Sequence, residues 1–244
     1  PKEKEMTAYH EVGHALMNVL LPHAHPLHKV TIIPRGFALG LTMAVPEEDV
    51  LSMTKAMIVD QIGVCLGGRV AEEVVYGDVT TGAQNDLEKS TGLARRMVTE
   101  FGMSERLGPM TFGKRHEQVF LGRDFGHERD YGENIATAID EEVSEIISGQ
   151  YARVKELLLT HRPHMDALVK ALLEKETLDK KEVDAILEEV NRRLALGEDP
   201  TSPSSSDNDR QEPPSAVIVT REEEKQPVMK ESQNDSGGDA SPGL

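Results

Sequence analysis

Apolar residues recur at helical spacing near the start of the chain. Within residues 6–21 they fall on one face of a helix with 3.6 residues per turn: Ala8, Val12, Ala15, Leu16, Val19 and Leu20. Pro22 follows directly, and proline cannot continue a helix. The pattern therefore predicts a first helix that ends at about residue 21.

Two short extended segments follow this helix. Residues 29–34 are rich in β-branched side chains, residues 39–45 form a second extended segment, and Arg35 and Gly36 between them indicate a turn. The pattern predicts a small hairpin-like sheet. Its exposed edge could pair with an extended peptide by strand addition, although an ordinary structural hairpin explains the pattern equally well.

Helical periodicity then returns in five segments, at about residues 51–76, 84–101, 130–160, 162–176 and 177–196. In the first of these, Gly67 and Gly68 either permit close packing against another helix or mark a break. Residues 102–132 contain six glycines and are predicted to form a long, mobile loop. The fold class predicted is mainly α, with a small β-sheet or hairpin near residues 29–45.

The composition changes at residue 197. Residues 197–244 hold six of the 13 prolines, no aromatic residue, and eleven acidic residues against four basic ones. Such a segment buries too little apolar surface to offset the entropy lost on ordering. We therefore predict a folded domain over residues 1–196 and a disordered acidic tail, rich in proline and serine, over residues 197–244.

Charge and cysteine content exclude several classes of partner. The net charge of −16 argues against binding to nucleic acid or to an anionic membrane surface. No apolar run is long enough to span a membrane, and no signal peptide is present. Cys65 is the single cysteine, which excludes an internal disulfide, and its apolar neighbours predict a core thiol. Because the chain starts at Pro1, we expect it to be a fragment.

Residues 10–14 read His-Glu-Val-Gly-His. On a helix, His10 and His14 lie one turn apart, with Cβ atoms roughly 5–6 Å from each other. Both imidazoles can then bind one Zn²⁺, and Glu11 beside them can take a proton from the attacking water. This is the H-E-x-x-H pattern of zinc peptidases. The alternative, a core helix with two histidines by coincidence, would bury polar groups at a cost of several kcal/mol.

A catalytic zinc ion needs a third protein ligand. Carboxylates are the better candidates: Glu72 and Glu73 on the second predicted helix, and Asp86 at the start of the third. Spacing alone does not choose between them, because an aspartate in a first helical turn also complements the helix dipole. The histidines that follow Pro22 are predicted to be surface residues: His23, His25 and His28.

Five segments in order, residues 9–15, 30–36, 67–73, 77–86 and 97–104, together closely resemble the peptidase domain of the FtsH family. These are membrane-bound, ATP-dependent zinc proteases of the AAA+ class, from bacteria, mitochondria and chloroplasts. The resemblance covers residues 1 to about 192. It implies that Asp86 is the third ligand, and that Glu72 and Glu73 have a structural role or orient a ligand histidine.

The resemblance also implies the function. The chain would be a zinc endopeptidase that holds one Zn²⁺ through His10, His14 and Asp86, with Glu11 as the catalytic base. The phosphate-loop pattern Gly-x-x-x-x-Gly-Lys-Ser/Thr is absent from the chain. The resemblance implies that an ATPase module, which binds ATP and Mg²⁺, and membrane-spanning helices precede Pro1 in the full protein.

By the same resemblance, the full protein would be a homohexamer that degrades unfolded and membrane proteins threaded in by the ATPase. It would lie in the bacterial cytoplasmic membrane with this domain facing the cytoplasm, or in the organellar equivalent, and the fragment itself would be soluble. Two alternatives remain from the residues alone. One is a zinc-stabilised oligomerisation or scaffold module without turnover, and the other is a peptidase in which Glu72 replaces Asp86 as ligand.

Overall fold

The computed structural model describes residues 2–34, 40–45, 52–113 and 131–200. Within these ranges it contains six α-helices and three short strands. The helices are α1 (Lys2–Leu20), α2 (Lys55–Tyr76), α3 (Gln84–Thr99), α4 (Glu133–Thr160), α5 (Arg162–Lys175) and α6 (Lys180–Leu196). The strands are β1 (Leu27–Thr31), β2 (Leu41–Ala44) and β3 (Thr177–Asp179). The prediction of a mainly α fold with a small sheet is confirmed.

Helix α1 is the central element, packed against α2, α5, β1 and β2. It is buried over most of residues 8–18, including the polar side chains of Glu11 and His14. The predicted first helix is therefore confirmed, and it ends just before Pro22. Its apolar face joins the main core, where Leu16 and Met17 are almost fully buried.

The three strands form one antiparallel sheet in the order β2-β1-β3. Val30 of the central strand lies between Thr42 on one side and Leu178 on the other. The hairpin predicted near residues 29–45 is confirmed, while its predicted turn at Arg35 and Gly36 lies outside the described residues. Strand β2 is an edge strand of this sheet and also contacts α1.

The predicted start of the last helix at Thr177 is wrong. Glu176 ends α5 in a left-handed conformation with φ 62°, and Thr177–Asp179 pairs with β1. Helix α6 begins at Lys180, where the Asp179 side chain and the Glu182 side chain form a reciprocal capping box. The chain therefore adds a short strand before the helix starts.

The other boundaries differ from the predictions by a few residues. Helix α2 starts at Lys55 rather than near residue 51, because the Thr54 hydroxyl caps its first turn by accepting from the amide of Met57. Helix α3 ends at Thr99, and α4 begins at Glu133. Residues 114–130 of the predicted loop and residues 201–244 of the predicted tail lie outside the described residues. In the described ranges, no helix combines the length and apolar character needed to cross a bilayer.

Two glycines bring α1 and α2 into main-chain contact. A Cβ atom built on Gly13 would lie 2.3 Å from the carbonyl oxygen of Gly67, and one built on Gly67 would lie 2.6 Å from the carbonyl oxygen of Gly13. Helix α2 runs unbroken through Gly67 and Gly68, so their predicted role in close helix packing is confirmed. Cys65, one turn earlier, is buried as predicted.

Candidate metal centre

Helix α1 places the two histidines of the motif side by side. The Nε2 atoms of His10 and His14 lie 3.1 Å apart, as the four-residue spacing predicts. Their side chains are only 14% and 11% exposed, respectively. Two imidazole nitrogens therefore meet in a pocket that excludes most solvent.

Asp86 joins the two histidines from the first turn of α3. A short 3₁₀ turn, Thr81–Ala83, leads the chain into that helix. The Oδ2 atom of Asp86 lies 3.4 Å from Nε2 of His10 and 3.3 Å from Nε2 of His14. Among the residues that the structure describes, these three side chains form the single group whose metal-binding atoms converge within 4.8 Å. The structure thus brings together the three ligands that the resemblance implies.

Both imidazole rings are oriented through their second nitrogen. Nδ1 of His10 lies 2.7 Å from Oε1 of Glu72, and Nδ1 of His14 lies 2.7 Å from the carbonyl oxygen of Val64. Because both partners are acceptors, each Nδ1 carries the proton, which leaves Nε2 as the nitrogen that can bind a metal. Such partners fix the ring and make the imidazole a stronger ligand.

The two adjacent glutamates of α2 have different environments. Glu72 is buried; besides its contact with His10, its Oε2 accepts a hydrogen bond of 2.7 Å from the amide of Thr80. Glu73 points elsewhere, to Lys155 and the hydroxyl of Tyr151. Glu72 therefore contacts the ring nitrogen of His10 that faces away from Asp86, an arrangement that fits an orienting residue better than a metal ligand.

Gly68 makes room for the two rings. A Cβ atom at this position would lie 2.6 Å from Nε2 of His10 and 2.6 Å from Nε2 of His14. The contact follows from the close crossing of α1 and α2 at Gly13 and Gly67. Any side chain at residue 68 would occupy the space between the donor atoms.

The charges at the site are strongly coupled. Burial lowers the pKa of His10, but hydrogen bonds to Asp86 and Glu72 outweigh this effect and raise the pKa to about 9. Burial raises the pKa of Asp86, yet hydrogen bonds from His10 and His14 leave it well below its usual range. Glu72 is likewise held ionised, because the bonds from His10 and Thr80 lower its pKa more than burial raises it. A metal ion that binds here replaces a proton between imidazole and carboxylate.

The spacing of the three donor atoms fits zinc. Ligands at about 2.0–2.1 Å from a tetrahedral zinc ion lie about 3.3–3.4 Å from one another. The three separations between the donors are 3.1, 3.4 and 3.3 Å. Two imidazoles and one carboxylate also leave a fourth position open, which distinguishes a catalytic zinc site from a structural one.

Glu11 lies on α1 directly after the first histidine. Its side chain is buried, at 8% exposure, although it carries a carboxylate. The Oε2 atom accepts a hydrogen bond of 2.7 Å from the hydroxyl of Thr42 on β2. The predicted base is therefore held between α1, which carries it, and β2, the edge strand of the sheet.

The histidines predicted to be surface residues do not reach the site. His23 is exposed and bonds to the buried carboxylate of Asp60, His28 is exposed, and His25 is partly exposed. A cavity of about 750 Å³ lies between the end of α2 and the start of α3, lined by residues that include Arg69, Thr80 and Leu87. None of the three candidate ligands lines this cavity, so we do not assign the chemistry to it.

Sequence reasoning missed several contacts of the site. Gly40, Thr42 and the carbonyl of Val64 were given no role, and Gly68 was expected only to assist helix packing. The segment that holds Thr42 was predicted as a strand, but no local pattern indicates that its hydroxyl meets Glu11. The contact between the backbone carbonyl of Val64 and His14 cannot be predicted from residue types, because every residue carries such a carbonyl.

Comparison with known proteins agrees with this geometry. Residues 1–186 match the model of peptidase family M41. Together with the H-E-x-x-H helix and the convergent carboxylate, this match defines the class of protein as a zinc metallopeptidase. The chain belongs to peptidase family M41.

Similar proteins include three named as ATP-dependent zinc metalloproteases. FtsH 3 of Symbiobacterium thermophilum is 50% identical over 189 residues, which are 78% of this chain and 30% of that protein. FtsH 1 of a Thermoanaerobacter species is 52% identical over 185 residues, 76% of this chain and 30% of that protein. FtsH of Pseudothermotoga lettingae is 50% identical over 188 residues, which are 77% of this chain and 30% of that protein.

These matches confirm the resemblance to the FtsH family. The chain spans about 30% of the length of these relatives. It corresponds to their peptidase part, and the ATPase part is absent from it.

Proposed function

We propose that this chain is the peptidase module of an FtsH-type ATP-dependent protease and that it hydrolyses peptide bonds in unfolded polypeptide. One observation carries the proposal: His10, His14 and Asp86 direct three donor atoms to one point, and the buried carboxylate of Glu11 follows His10 directly on the same helix. The names of the relatives, which describe zinc metalloproteases, support it.

One Zn²⁺ per chain would be held by Nε2 of His10, Nε2 of His14 and Oδ2 of Asp86. When bound, zinc would act as a Lewis acid that lowers the pKa of a water to about 7 and polarises the substrate carbonyl. The protein orients both histidines for this role, because Glu72 and the carbonyl of Val64 accept hydrogen bonds from their Nδ1–H groups and leave Nε2 free to bind a metal.

Glu11 serves as the general base. Its carboxylate accepts a proton from the attacking water and later delivers it to the amine of the leaving fragment. Glu11 directly follows His10 on α1, and its charge helps to raise the pKa of His10, so the base lies near the candidate ligands. A purely structural zinc site needs no such base and usually has four protein ligands, which argues against a scaffold module without turnover.

The substrate pairs with strand β2. This strand lies at one edge of the sheet, and its Thr42 contacts the base. An extended peptide added to this edge forms main-chain hydrogen bonds that do not depend on its sequence. Cleavage that tolerates many sequences follows from this mode of binding.

The full protein extends beyond this chain. The relatives are more than twice as long as this chain and are named as ATP-dependent. We infer that a AAA+ ATPase module binds ATP and Mg²⁺ and threads unfolded or membrane proteins into a homohexameric ring of peptidase domains. The full protein is anchored in the bacterial cytoplasmic membrane, with this domain on the cytoplasmic side, or in the organellar equivalent.

Substitution of the base tests the reaction. Glu11→Gln should abolish cleavage of casein and of a short fluorogenic peptide, because the amide cannot accept the proton of the attacking water. Zinc content should stay near one ion per chain, since Glu11 is not a ligand. Asp86→Asn should instead lose most of the bound zinc together with activity, as measured by metal analysis of the purified protein.

Glu73→Gln is the control, because Glu73 is the acidic neighbour of Glu72 on α2 but points away from the site, to Lys155. It should keep both zinc and activity. Full activity of the Glu11→Gln protein would reject the mechanism. Absence of peptidase activity in the wild type at full zinc content would favour the scaffold module instead.

A further inference from the structure

The edge strand β2 holds the carboxylate of Glu11. The hydroxyl oxygen of Thr42 lies 2.7 Å from Oε2 of Glu11 and 2.9 Å from its main-chain carbonyl oxygen. Glu11 is 8% exposed, and among the described residues its carboxylate accepts its side-chain hydrogen bond from this hydroxyl. A carboxylate rotates freely about its χ angles unless a partner fixes it, and Thr42 supplies such a partner.

Gly40 defines the other side of the same carboxylate. A Cβ atom at residue 40 would lie 2.6 Å from Cγ, 2.7 Å from Oε1 and 2.9 Å from Cδ of Glu11. The main chain of residue 40 therefore lies so close to the Glu11 side chain that a residue larger than glycine would have to displace that side chain. One oxygen of the carboxylate is fixed by a hydrogen bond and the other by close packing.

We propose that Gly40 and Thr42 are positioning residues for the catalytic base. The inference rests on the proposed function, in which Glu11 takes the proton of the attacking water. General bases contribute about 10²–10⁴-fold to the rate, and displacement by about 1 Å can remove roughly 10²-fold. The strand that pairs with the substrate thus also sets the position of the base relative to the bound peptide.

Two variants of Thr42 separate positioning from structure. Thr42→Val keeps the shape of the side chain but removes the hydroxyl, and we expect kcat to fall about 10–100-fold. KM should not change, because the main chain of β2 that pairs with the peptide is intact. Zinc content should also stay unchanged, because neither Thr42 nor Glu11 is a proposed zinc ligand. Thr42→Ser restores the hydroxyl and should keep kcat within about 3-fold of the wild type.

Gly40→Ala tests the same idea without removing the Thr42 hydroxyl. The atoms that the new methyl group meets belong to the flexible end of Glu11, so the side chain can move aside at little cost in stability. We expect a melting temperature close to that of the wild type and a fall in kcat of about 10-fold or more. This variant keeps the test valid even if Thr42→Val folds poorly.

Measurement of kcat, KM, zinc content and melting temperature on a fluorogenic peptide decides the matter. Unchanged kcat in both Thr42→Val and Gly40→Ala would overturn the inference. So would a loss of kcat that appears only together with loss of zinc or of folding. Failure of the proposed function looks different: Glu11→Gln would then retain the wild-type kcat, or the wild type itself would not cleave the peptide.

Discussion

At the scale of single residues, the two histidines differ in the charge of their Nδ1 partners. His10 bonds to the carboxylate of Glu72, whereas His14 bonds to the neutral carbonyl of Val64. An anionic partner increases the electron density on the metal-binding nitrogen more than a neutral one does. If zinc binds at this site, its affinity should therefore depend on Glu72, although Glu72 contacts His10 rather than the three convergent donor atoms.

This dependence leads to a prediction for Glu72→Gln. The amide keeps the shape of the side chain but removes the charge, so zinc affinity should fall by roughly 10–100-fold. Titration against a chromophoric chelator measures it. Glu73→Gln should leave the affinity unchanged. Equal affinities in wild type and Glu72→Gln would contradict the assigned role, and a loss as complete as in Asp86→Asn would restore Glu72 as a ligand.

Part of the site can be predicted from residue types alone. The spacing of His10 and His14 places them on one face of a helix whatever the rest of the fold does, and the structure agrees. The choice of Asp86 over Glu72 needed the family resemblance, because the two carboxylates lie on different helices. The contacts of Gly40 and Thr42 depend on how a strand packs against α1, and no local pattern encodes that packing.

At the scale of elements, the crossing of α1 and α2 positions the metal centre. Gly13 and Gly67 let the two helices touch through main-chain atoms, and this contact brings Gly68 beneath the ligand rings. Main-chain atoms of a helix cannot move aside one at a time. A side chain at the crossing must therefore separate the helices as a whole.

Gly13→Ala should for this reason be strongly destabilising. The new Cβ atom would meet the Gly67 carbonyl oxygen at 2.3 Å, and we expect a loss of about 3 kcal/mol in the free energy of unfolding, as for severe overpacking. Gly149→Ala on α4 is the matched control. It faces open space and should gain roughly 0.5–1 kcal/mol from helix propensity. Urea unfolding of metal-free protein measures both, and a neutral Gly13→Ala would refute the argument.

Long elements were predictable from the sequence and short ones were not. Helical periodicity over 14 residues or more predicts each of the six helices, with errors of a few residues at their ends. Strand β3 has three residues, too few to show a period, and its pairing with β1 involves residues about 147 positions apart. Thr177 was mistaken for a helix start because so short a strand shows no period in the sequence. Its hydroxyl contacts the hydroxyl of Thr31 on the neighbouring strand β1.

At the scale of the whole molecule, the candidate zinc ligands come from two helices that are distant in the sequence. His10 and His14 lie on α1 and Asp86 lies on α3, so a bound ion joins the two directly. A ligand that binds the folded state alone stabilises it in proportion to the logarithm of its concentration. Folding and metal loading are therefore linked.

Metal removal should lower the thermal stability measurably. At a free zinc concentration about 100 times Kd, binding contributes about 2.7 kcal/mol. For a domain of this size, that corresponds to a fall in Tm of roughly 5–10 °C when EDTA is added. Differential scanning calorimetry checks it. Asp86→Asn should show no response to EDTA, and an unchanged wild-type Tm would mean that the ion does not bridge the helices.

The main-chain contact between α1 and α2 also affects which amino-acid substitutions this domain can accept during evolution. Because no side-chain volume sets the distance between the two helices, nearby core positions such as Leu16, Ile62 and Leu66 can exchange one aliphatic residue for another without moving the ligands. We expect the aliphatic core residues to vary among evolutionary descendants of this protein, while the arrangement of the candidate ligands stays the same.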